Sequence, residues 1–298
     1  MIGIEIFSGP GGMGLGAQYA GIEVALAVEK NNYAAQTYLA NHKNTTVVID
    51  DIQNINEFRY EKKGEQVILF GGPPCQGYSN SNRKTRSNKN PKNWLFQEFM
   101  RSIELHELGY TPNFNILNAA DFGVPQKRER IFIVASKHGI AFEFPTGTFV
   151  DKHVSVADAL FDLPKLENGT KEISLKYRHK AKSEYAMKMR GNLRKATQNY
   201  VSKNSDHVVK RYEYIKQGGN WNDIPVELMS NYKDHTRCHH GIYRRLKADE
   251  PAFVIANYRK SMLIHPTENR GLSVREAARL QSFPDSYKFM GPLVHIQQ

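Results

Sequence analysis

Over its first hundred residues, the sequence alternates between segments typical of strands and segments typical of helices. Four segments predict strands: "IGIEIF", "EVALAVE", "NTTVVID" and "QVILFGG". Two segments that lie between the first three, "LGAQYAG" and "NYAAQTYLANH", predict helices. Strands that alternate with helices form βαβ units, in which the strands run parallel. The sequence therefore predicts an α/β fold built on a Rossmann-like parallel sheet.

The periodicity changes further along the chain, which predicts more than one domain. Apolar runs at residues 115–117 and 131–135 extend the sheet domain, which we expect to end near Phe144. Residues 145–240 have poor periodicity and a polar composition, with "QGGNW" and "NDIP" as turn signals. They predict a second, smaller, loop-rich domain. We expect residues 241–298 to return and pack on both domains.

One further helix is indicated within this return segment. The stretch "LSVREAARLQSF" (Leu272–Phe283) has the pattern of an amphipathic helix. Ser273 and Glu276 have the spacing of a capping box, which marks its start. Pro284 follows directly, and proline cannot continue a helix, so we expect the helix to end there.

The chain carries a large positive charge, which favours polyanionic partners such as nucleic acids. Its formal net charge is +11, from 41 Lys and Arg residues against 30 Asp and Glu residues. The segment Lys165–Lys216 holds 14 basic and 5 acidic residues, so it accounts for most of this excess. A solvated basic surface without a partner is the alternative. The basic loop Asn80–Lys92 beside Cys75 favours a phosphate backbone near the thiol.

Hydropathy and cysteine usage exclude several other classes of protein. No apolar run reaches the roughly 18 residues that a membrane span needs, and the start of the chain does not have the pattern of a secretory signal peptide. The two cysteines, Cys75 and Cys238, fit neither a disulfide framework nor a zinc site. We therefore predict a soluble protein of a reducing compartment, without a metal.

A glycine-rich segment follows the first predicted strand and opens a helix, as nucleotide-binding loops do. This segment, "FSGPGGMGLG" (Phe7–Gly16), does not match the dinucleotide or P-loop patterns cleanly, so a tight structural turn is an equal alternative. The next two strands each end in an acid, Glu29 and Asp51. Such an acid can bind a ribose hydroxyl or an adenine amino group, or it can cap a helix. The loop and both acids together favour a bound adenosine moiety.

Cys75 occupies an unusual position, in the stretch "GGPPCQGYS" directly after the apolar run "VILF". Proline fixes φ and cannot continue a central strand, so the two prolines predict that the strand stops there. The thiol is therefore expected in a stiff, exposed turn beyond the carboxyl end of the strand. Open α/β sheets bind their ligands at that edge, which makes Cys75 a candidate for chemistry.

Five blocks of the sequence resemble the DNA cytosine-5 methyltransferases, in that family's order and over nearly the whole chain. They are "FSGPGG", "GGPPCQGYS", "DFGVPQKRER", "RRLKADEPAFVI" and "HPTENRGLSVREAARLQSFPD". The resemblance implies an S-adenosylmethionine-dependent catalytic domain (residues 1–144), a target-recognition domain (residues 145–240) and methylation of a cytosine flipped out of double-stranded DNA. By position, it also implies the cofactor contacts Phe7, Ser8, Gly9, Pro10, Gly11, Gly12, Glu29, Asp51, Ile52, Pro73 and Leu95.

The same resemblance makes Cys75 the catalytic nucleophile. C5 of cytosine is a poor nucleophile, so a thiolate must first attack C6 and push electron density onto C5. In the family, the two arginines of "QKRER", here Arg128 and Arg130, line the active site; two solvated arginines in a turn are the alternative. Cations near the thiol would favour the thiolate and attract DNA. Cys238 lies outside every block and is expected to be incidental.

Two blocks of the family have no counterpart in this sequence. After "NWLFQEFMRSIE" the family continues into a strand that ends in Glu-Asn-Val, whose glutamate holds N3 of the cytosine, whereas here Glu104 is followed by "LHELGY". A closing Gly-Asn-Ala-Val-Pro-Pro block is also missing. We assign the role of the glutamate to no residue. We favour omission of segments of a longer polypeptide, with a second chain that supplies them or an inactive paralogue as alternatives.

The predicted function is transfer of a methyl group to C5 of cytosine in a specific DNA duplex. The resemblance implies a monomeric modification enzyme of a restriction-modification system, in the prokaryotic cytoplasm and associated with the nucleoid. A transfer-RNA cytosine-5 methyltransferase and a catalytically inactive DNA-binding protein are the alternatives. The size of segment 145–240 favours DNA, because reading base edges in the major groove would need a separate domain. The intact motif around Cys75 argues against the inactive binder.

Overall fold

The computed structural model describes residues 1–59, 66–73, 95–104, 110–137, 142–232, 242–255, 257–259 and 263–293. The chain divides into two compact units, of which the first comprises Met1–Tyr110 and Lys288–Pro292, and the second Thr111–Tyr287 and Leu293–Gln298. These two units are defined by the contacts within the chain. The predicted boundaries at residues 144 and 240 instead separate regions of different expected function, and they stay a prediction. Within the described ranges, no helix has both the length and the apolar character of a membrane span.

The first unit contains a four-stranded parallel sheet, as the alternating sequence pattern predicts. Its strands are β1 (Ile2–Ile6), β2 (Glu23–Val28), β3 (Thr46–Val48) and β4 (Val67–Gly71), in the spatial order β3-β2-β1-β4. β1 pairs with β2 on one side and with β4 on the other, and all of its residues are buried. A central strand that is covered on both faces requires such an apolar run. The predicted α/β fold is confirmed.

Helices follow the strands of this sheet along the chain. α1 (Gly12–Tyr19) follows β1, α2 (Asn32–Asn41) follows β2, a 3-10 helix (Ile52–Asn54) follows β3, and α3 (Leu95–Glu104) comes after β4. Asn31 caps α2, because its side chain accepts hydrogen bonds from the first N–H groups of that helix. The core of the unit contains buried aliphatic side chains from β1, β2 and the 3-10 helix: Ile4, Ile6, Leu26, Val28 and Ile52.

A short segment from near the carboxyl end, Lys288–Pro292, belongs to the first unit. The side chain of Asn41 in α2 donates to the carbonyl of Lys288 at 2.8 Å and accepts from its N–H at 2.9 Å. The N–H of Met290 donates to the hydroxyl of Thr37 at 2.8 Å. These bonds fix the segment to α2, so Thr111–Tyr287 of the second unit lie between the two parts of the first unit along the chain.

The second unit is built from short elements. β5 (Tyr110–Asn118) begins at the boundary between the units and forms a two-stranded sheet with β6 (Glu129–Lys137). The apolar runs that predict strands at residues 115–117 and 131–135 lie within these two strands. The expectation that they extend the sheet domain is wrong, because the two strands pair with each other in a separate sheet. The other elements are α4 (Val156–Leu160), β7 (Ser174–Lys176), α5 (Glu184–Arg190), β8 (Lys195–Thr197), α6 (Asp206–Tyr214), α7 (Val274–Arg279) and 3-10 helices at Ala119–Phe122, Trp221–Asp223 and Val226–Met229.

α7 begins as the sequence predicts and ends earlier. The capping box of Ser273 and Glu276 is present at its start. The helix stops at Arg279, with Leu280 as its C-cap, several residues before Pro284. The prediction of an amphipathic helix is wrong, because every residue of α7 is buried. Its charged side chains are accommodated by partners inside the second unit.

For Glu276 and Arg279, those partners are oppositely charged side chains that are themselves buried. Arg279 has a fully buried side chain and donates to the carboxylates of Asp162 at 2.6 Å and Asp285 at 2.7 Å. Glu276 accepts two hydrogen bonds from Arg270, at 2.7 and 2.8 Å. Burial alone would raise the pKa of Glu276, but the charge of Arg270 lowers it to about 2. Complementary charges therefore replace part of the apolar core.

Candidate functional site

The glycine-rich loop Phe7–Gly12 connects the carboxyl end of β1 with the start of α1. Gly9 and Gly11 have positive φ values of 55° and 92°, and Gly11 is the N-cap of α1. A side chain would strain the backbone at these φ values, so the turn requires glycine. Among the described residues, no side chain caps α1. The loop therefore brings backbone N–H groups to the carboxyl edge of the sheet.

Ser8 supplies a polar group to this loop. Its N–H donates to the carbonyl of Val28 at 3.1 Å, and its own carbonyl accepts from the N–H of Gly11 at 3.1 Å. Its hydroxyl is buried and has no hydrogen-bond partner in the part of the chain that the structure describes. A buried hydroxyl without a partner is destabilising. A ligand atom that bonds to this hydroxyl would therefore stabilise the loop.

Glu29 joins the loop to the start of α2. One of its carboxylate oxygens accepts a hydrogen bond from the N–H of Gly9 at 2.7 Å. The other accepts from the N–H of Asn31, also at 2.7 Å. A carboxylate oxygen can accept more than one hydrogen bond, so both can also receive a ligand donor. The structure brings Glu29 and the loop together, and the contact of Glu29 with a cofactor stays a prediction.

Asp51 has the capping role that the sequence leaves open. Its side chain accepts a hydrogen bond from the N–H of Gln53 at 3.2 Å and pairs with Lys30, which lowers the pKa of Asp51. The carbonyl of Ile52 accepts a hydrogen bond from Arg101 at 2.6 Å. Arg101, which the sequence analysis misses, thereby fixes α3 to the segment after β3. Cofactor contacts by Asp51 and Ile52 stay predictions.

A buried acid in β1, two residues before the loop, is also missed by the sequence analysis. Glu5 is 1% exposed. Its carboxylate accepts hydrogen bonds from the N–H of Gly14 in α1 at 3.2 Å and from the hydroxyl of Tyr38 in α2 at 2.8 Å. Burial raises the pKa of Glu5 to about 7, although both hydrogen bonds act in the opposite direction. The signal in the sequence is a single acid within an otherwise apolar central strand.

The predicted catalytic residues are only partly within the described ranges. The N–H of Arg128 donates to the side chain of Asn118 at 3.0 Å, and its carbonyl accepts from the N–H of Ala119, also at 3.0 Å. These bonds join the two ends of the connection between β5 and β6. Arg130 is exposed and lies in β6. Cys75 lies outside the described residues, so its association with the two arginines stays a prediction.

Two predicted cofactor contacts flank the segment that carries this cysteine. Pro73 follows β4, and Leu95 is the first residue of α3. Both are half-buried. Residues 74–94 between them lie outside the described ranges, so the roles of Pro73 and Leu95 stay predictions.

The basic segment Lys165–Lys216 presents most of its charge at the surface. Twelve of its 14 Lys and Arg residues are exposed, and none of those twelve pairs with a described carboxylate. Arg190 is half-buried and stacks over the ring of Tyr177 at 3.9 Å. Arg211 is buried and donates to the carbonyl of Leu228 at 2.8 Å. These two arginines stabilise the unit, and the other twelve form its basic surface.

Comparison with known proteins decides the family. The family model described as C-5 cytosine-specific DNA methylase matches residues 1–106 and 102–298, which together cover the whole chain. The chain belongs to this family. It is therefore a DNA (cytosine-5)-methyltransferase, as the resemblance implies.

Individual relatives of this methylase support the same conclusion. Type II methyltransferase M1.HphI of Haemophilus parahaemolyticus is 31% identical over 329 residues, which cover 99% of this chain and 81% of that protein. Type II methyltransferase M.DdeI of Desulfomicrobium norvegicum is 29% identical over 332 residues, with 97% and 80% covered. A solved structure of a prophage-encoded Escherichia coli protein, described as a DNA modification methyltransferase, matches with a TM-score of 0.70 at 21% identity, over 97% of this chain and 90% of that one. The last match confirms the methyltransferase fold.

Proposed function

We propose that this methylase transfers a methyl group from S-adenosylmethionine to C5 of cytosine in one specific double-stranded DNA sequence. The observation that carries the proposal is the loop at the carboxyl edge of the sheet, where the Ser8 hydroxyl has no described partner and the Glu29 carboxylate binds Gly9. Relatives named as Type II methyltransferases support a role as the modification enzyme of a restriction-modification system. Such an enzyme would act as a monomer in the prokaryotic cytoplasm.

The residues of the loop fit an adenosine-containing cofactor. The Ser8 hydroxyl can donate or accept a hydrogen bond, and the Glu29 carboxylate can accept from ribose hydroxyls. Backbone N–H groups at the start of α1 can donate to an anionic group. When bound, S-adenosylmethionine supplies an electrophilic methyl group. We assign the remaining contacts to Phe7, Gly9, Pro10, Gly11, Gly12, Asp51, Ile52, Pro73 and Leu95.

Cys75 is the nucleophile in this proposal. Its thiolate attacks C6 of the flipped cytosine, so that an S–C6 bond forms and the C5=C6 electron pair moves toward C5. C5 would then take the methyl group of the bound S-adenosylmethionine: a C5–CH3 bond would form, the S–CH3 bond would break, and S-adenosylhomocysteine would leave. Loss of the C5 proton to a base and departure of the thiolate restore the double bond. Arg128 and Arg130 favour the thiolate and bind the anionic substrate.

Recognition of the target is assigned to residues 145–240, between a catalytic domain at residues 1–144 and a return segment at residues 241–298. The twelve exposed Lys and Arg side chains of Lys165–Lys216 can bind phosphates, because none of them forms an ion pair with a described carboxylate. Phosphate contacts orient the duplex, and contacts with base edges select the sequence. We expect the base-reading side chains between Tyr177 and Asp234.

Trapping on random-sequence duplexes that contain 5-fluorocytosine tests the mechanism. Fluorine at C5 does not leave as a proton does, so the covalent adduct persists after methyl transfer. With S-adenosylmethionine present, the wild type should form a denaturant-resistant complex with DNA. Cys75→Ser should form none, whereas the control Cys238→Ser should form the wild-type amount.

The outcomes separate the candidate functions. A wild-type protein that methylates ordinary duplexes but is not trapped would contradict the covalent mechanism. A protein that binds duplexes and neither methylates nor is trapped would be an inactive DNA-binding protein. Trapping on transfer RNA in place of duplex DNA would assign the activity to RNA.

A further inference from the structure

Glu5 connects three elements of the first unit at the glycine-rich loop. It lies in β1, and its carboxylate accepts from Gly14 of α1 and from Tyr38 of α2. The loop Phe7–Gly12 lies between Glu5 and Gly14 along the chain. The hydrogen bond between these two residues therefore closes the loop across its own ends.

The packing around this carboxylate explains why residue 14 is glycine. A Cβ atom at Gly14 would lie 2.4 Å from a carboxylate oxygen of Glu5 and 2.6 Å from the hydroxyl oxygen of Tyr38. Both distances are far below van der Waals contact, so any side chain would push α1 away from β1 and α2. The Glu5 carboxylate and the Tyr38 hydroxyl thus leave no space for a side chain at this position of α1.

We propose that Glu5 is a positioning residue for cofactor binding: its ionised carboxylate holds the loop in the binding conformation, and protonation of Glu5 weakens binding. This inference rests on the proposed S-adenosylmethionine site. Hydrogen bonds to an ionised acceptor are stronger than those to a neutral one. A neutral Glu5 binds Gly14 and Tyr38 more weakly, so the loop is less ordered before the cofactor binds. Cofactor binding must then order the loop, which lowers the affinity.

The groups around Glu5 place this proton exchange near neutral pH. Burial raises the pKa of Glu5 to about 7, and the charge of Glu29 at the end of β2 adds to the rise. From α2, the Tyr38 hydroxyl faces the carboxylate, and the ring of the adjoining His42 stacks on that of Tyr38 at 4.1 Å. Burial lowers the pKa of His42, which favours its neutral form, and a hydrogen bond with the backbone of Gly11 opposes this shift. α1 and β4 contain no charged residue.

Titration calorimetry with S-adenosylhomocysteine measures the effect without catalysis, because this ligand has no methyl group to transfer. Wild-type affinity should rise by about threefold to fivefold as the pH rises from about one unit below to about one unit above the pKa of Glu5. Binding near this pKa should also release protons. Proton release appears as a binding heat that depends on the ionisation enthalpy of the buffer.

Three variants make the test specific. Glu5→Gln should bind with an affinity that is independent of pH and close to the wild-type value at low pH. Tyr38→Phe should keep a pH dependence with its midpoint at higher pH, because the Tyr38 hydrogen bond lowers the pKa of Glu5. Glu23→Gln removes an exposed carboxylate at the opposite end of β2 and should keep the wild-type profile.

The inference is overturned by a wild-type affinity that is constant over this range, or by a Glu5→Gln variant that keeps the wild-type profile. A wild type that does not bind S-adenosylhomocysteine at any pH instead refutes the proposed cofactor site. Circular dichroism of the ligand-free variants checks their folding. If Glu5→Gln does not fold, the wild-type profile and the midpoint of Tyr38→Phe decide.

Discussion

Replacing Arg279 with methionine should destabilise the second unit strongly, because it leaves two buried carboxylates without their main partner. The guanidinium donates to Asp162 at 2.6 Å, to Asp285 at 2.7 and 2.8 Å, and to the carbonyl of Ala159 at 2.9 Å. The side chains of Asp162 and Asp285 are 4% and 0% exposed, so water cannot replace the lost bonds without rearrangement. Removal of one partner from a buried ion pair costs about 3–5 kcal/mol.

This loss is a large fraction of the roughly 5–15 kcal/mol by which domains are stable. Urea unfolding, followed by far-UV circular dichroism and by the combined fluorescence of Trp94 in the first unit and Trp221 in the second, measures it. Arg190→Met is the matched control, since it removes the same charge from a half-buried side chain that lies 3.9 Å from Asp162. We expect the control to lose about 1 kcal/mol. If both variants lose equal stability, the buried ion pairs do not carry the energy that we assign to them.

Four further changes test other parts of the molecule. Gly14→Ala should destabilise the first unit by about 1–3 kcal/mol in urea unfolding, since its Cβ would overlap a buried carboxylate, and a wild-type curve would contradict this packing. Glu29→Ala should weaken S-adenosylhomocysteine binding by about 1–3 kcal/mol in calorimetry; an unchanged dissociation constant would remove Glu29 from the site. Cys75→Ser should abolish methyl transfer and keep cofactor and DNA affinities within about tenfold, because the thiol acts in the transition state; parallel loss of cofactor binding would indicate a structural thiol. Lys195→Ala should make the slope of log DNA affinity against log salt shallower by about 0.9, whereas Lys43→Ala in the first unit should leave the slope unchanged; equal slopes in both variants would exclude a phosphate contact at Lys195.

The parallel sheet could be predicted because its cause is local in the sequence. A central strand such as β1 must be apolar on both faces, and the helices between the strands have a different period. The capping box of α7 could also be predicted, because Ser273 and Glu276 bond to backbone groups only three residues away. Features that depend on short spacings are visible in one sequence.

The buried charges could not be predicted in this way. Arg279 lies in the predicted amphipathic helix, and Arg270 lies just before it. Charged side chains in such a segment are expected at the surface unless their distant partners are known. Arg279 bonds to Asp162, 117 positions away, and the sequence gives no sign of that pairing. Glu5 is a similar case, since its partner Tyr38 comes from another element. Pairing over long separations decides whether a charge lies inside or outside.

The attachment of Lys288–Pro292 to α2 sets an order for folding during synthesis. The ribosome releases β1, β2 and α2 first, but Thr37 and Asn41 must wait for Met290 and Lys288, which lie 253 and 247 positions later. Contacts over such separations form slowly, because a long loop must close before they stabilise the chain. Thr111–Tyr287, which makes up most of the second unit, is synthesised within that interval. The sheet-bearing unit, although it contains the start of the chain, therefore cannot be completed in the cell until nearly all of the second unit has been made.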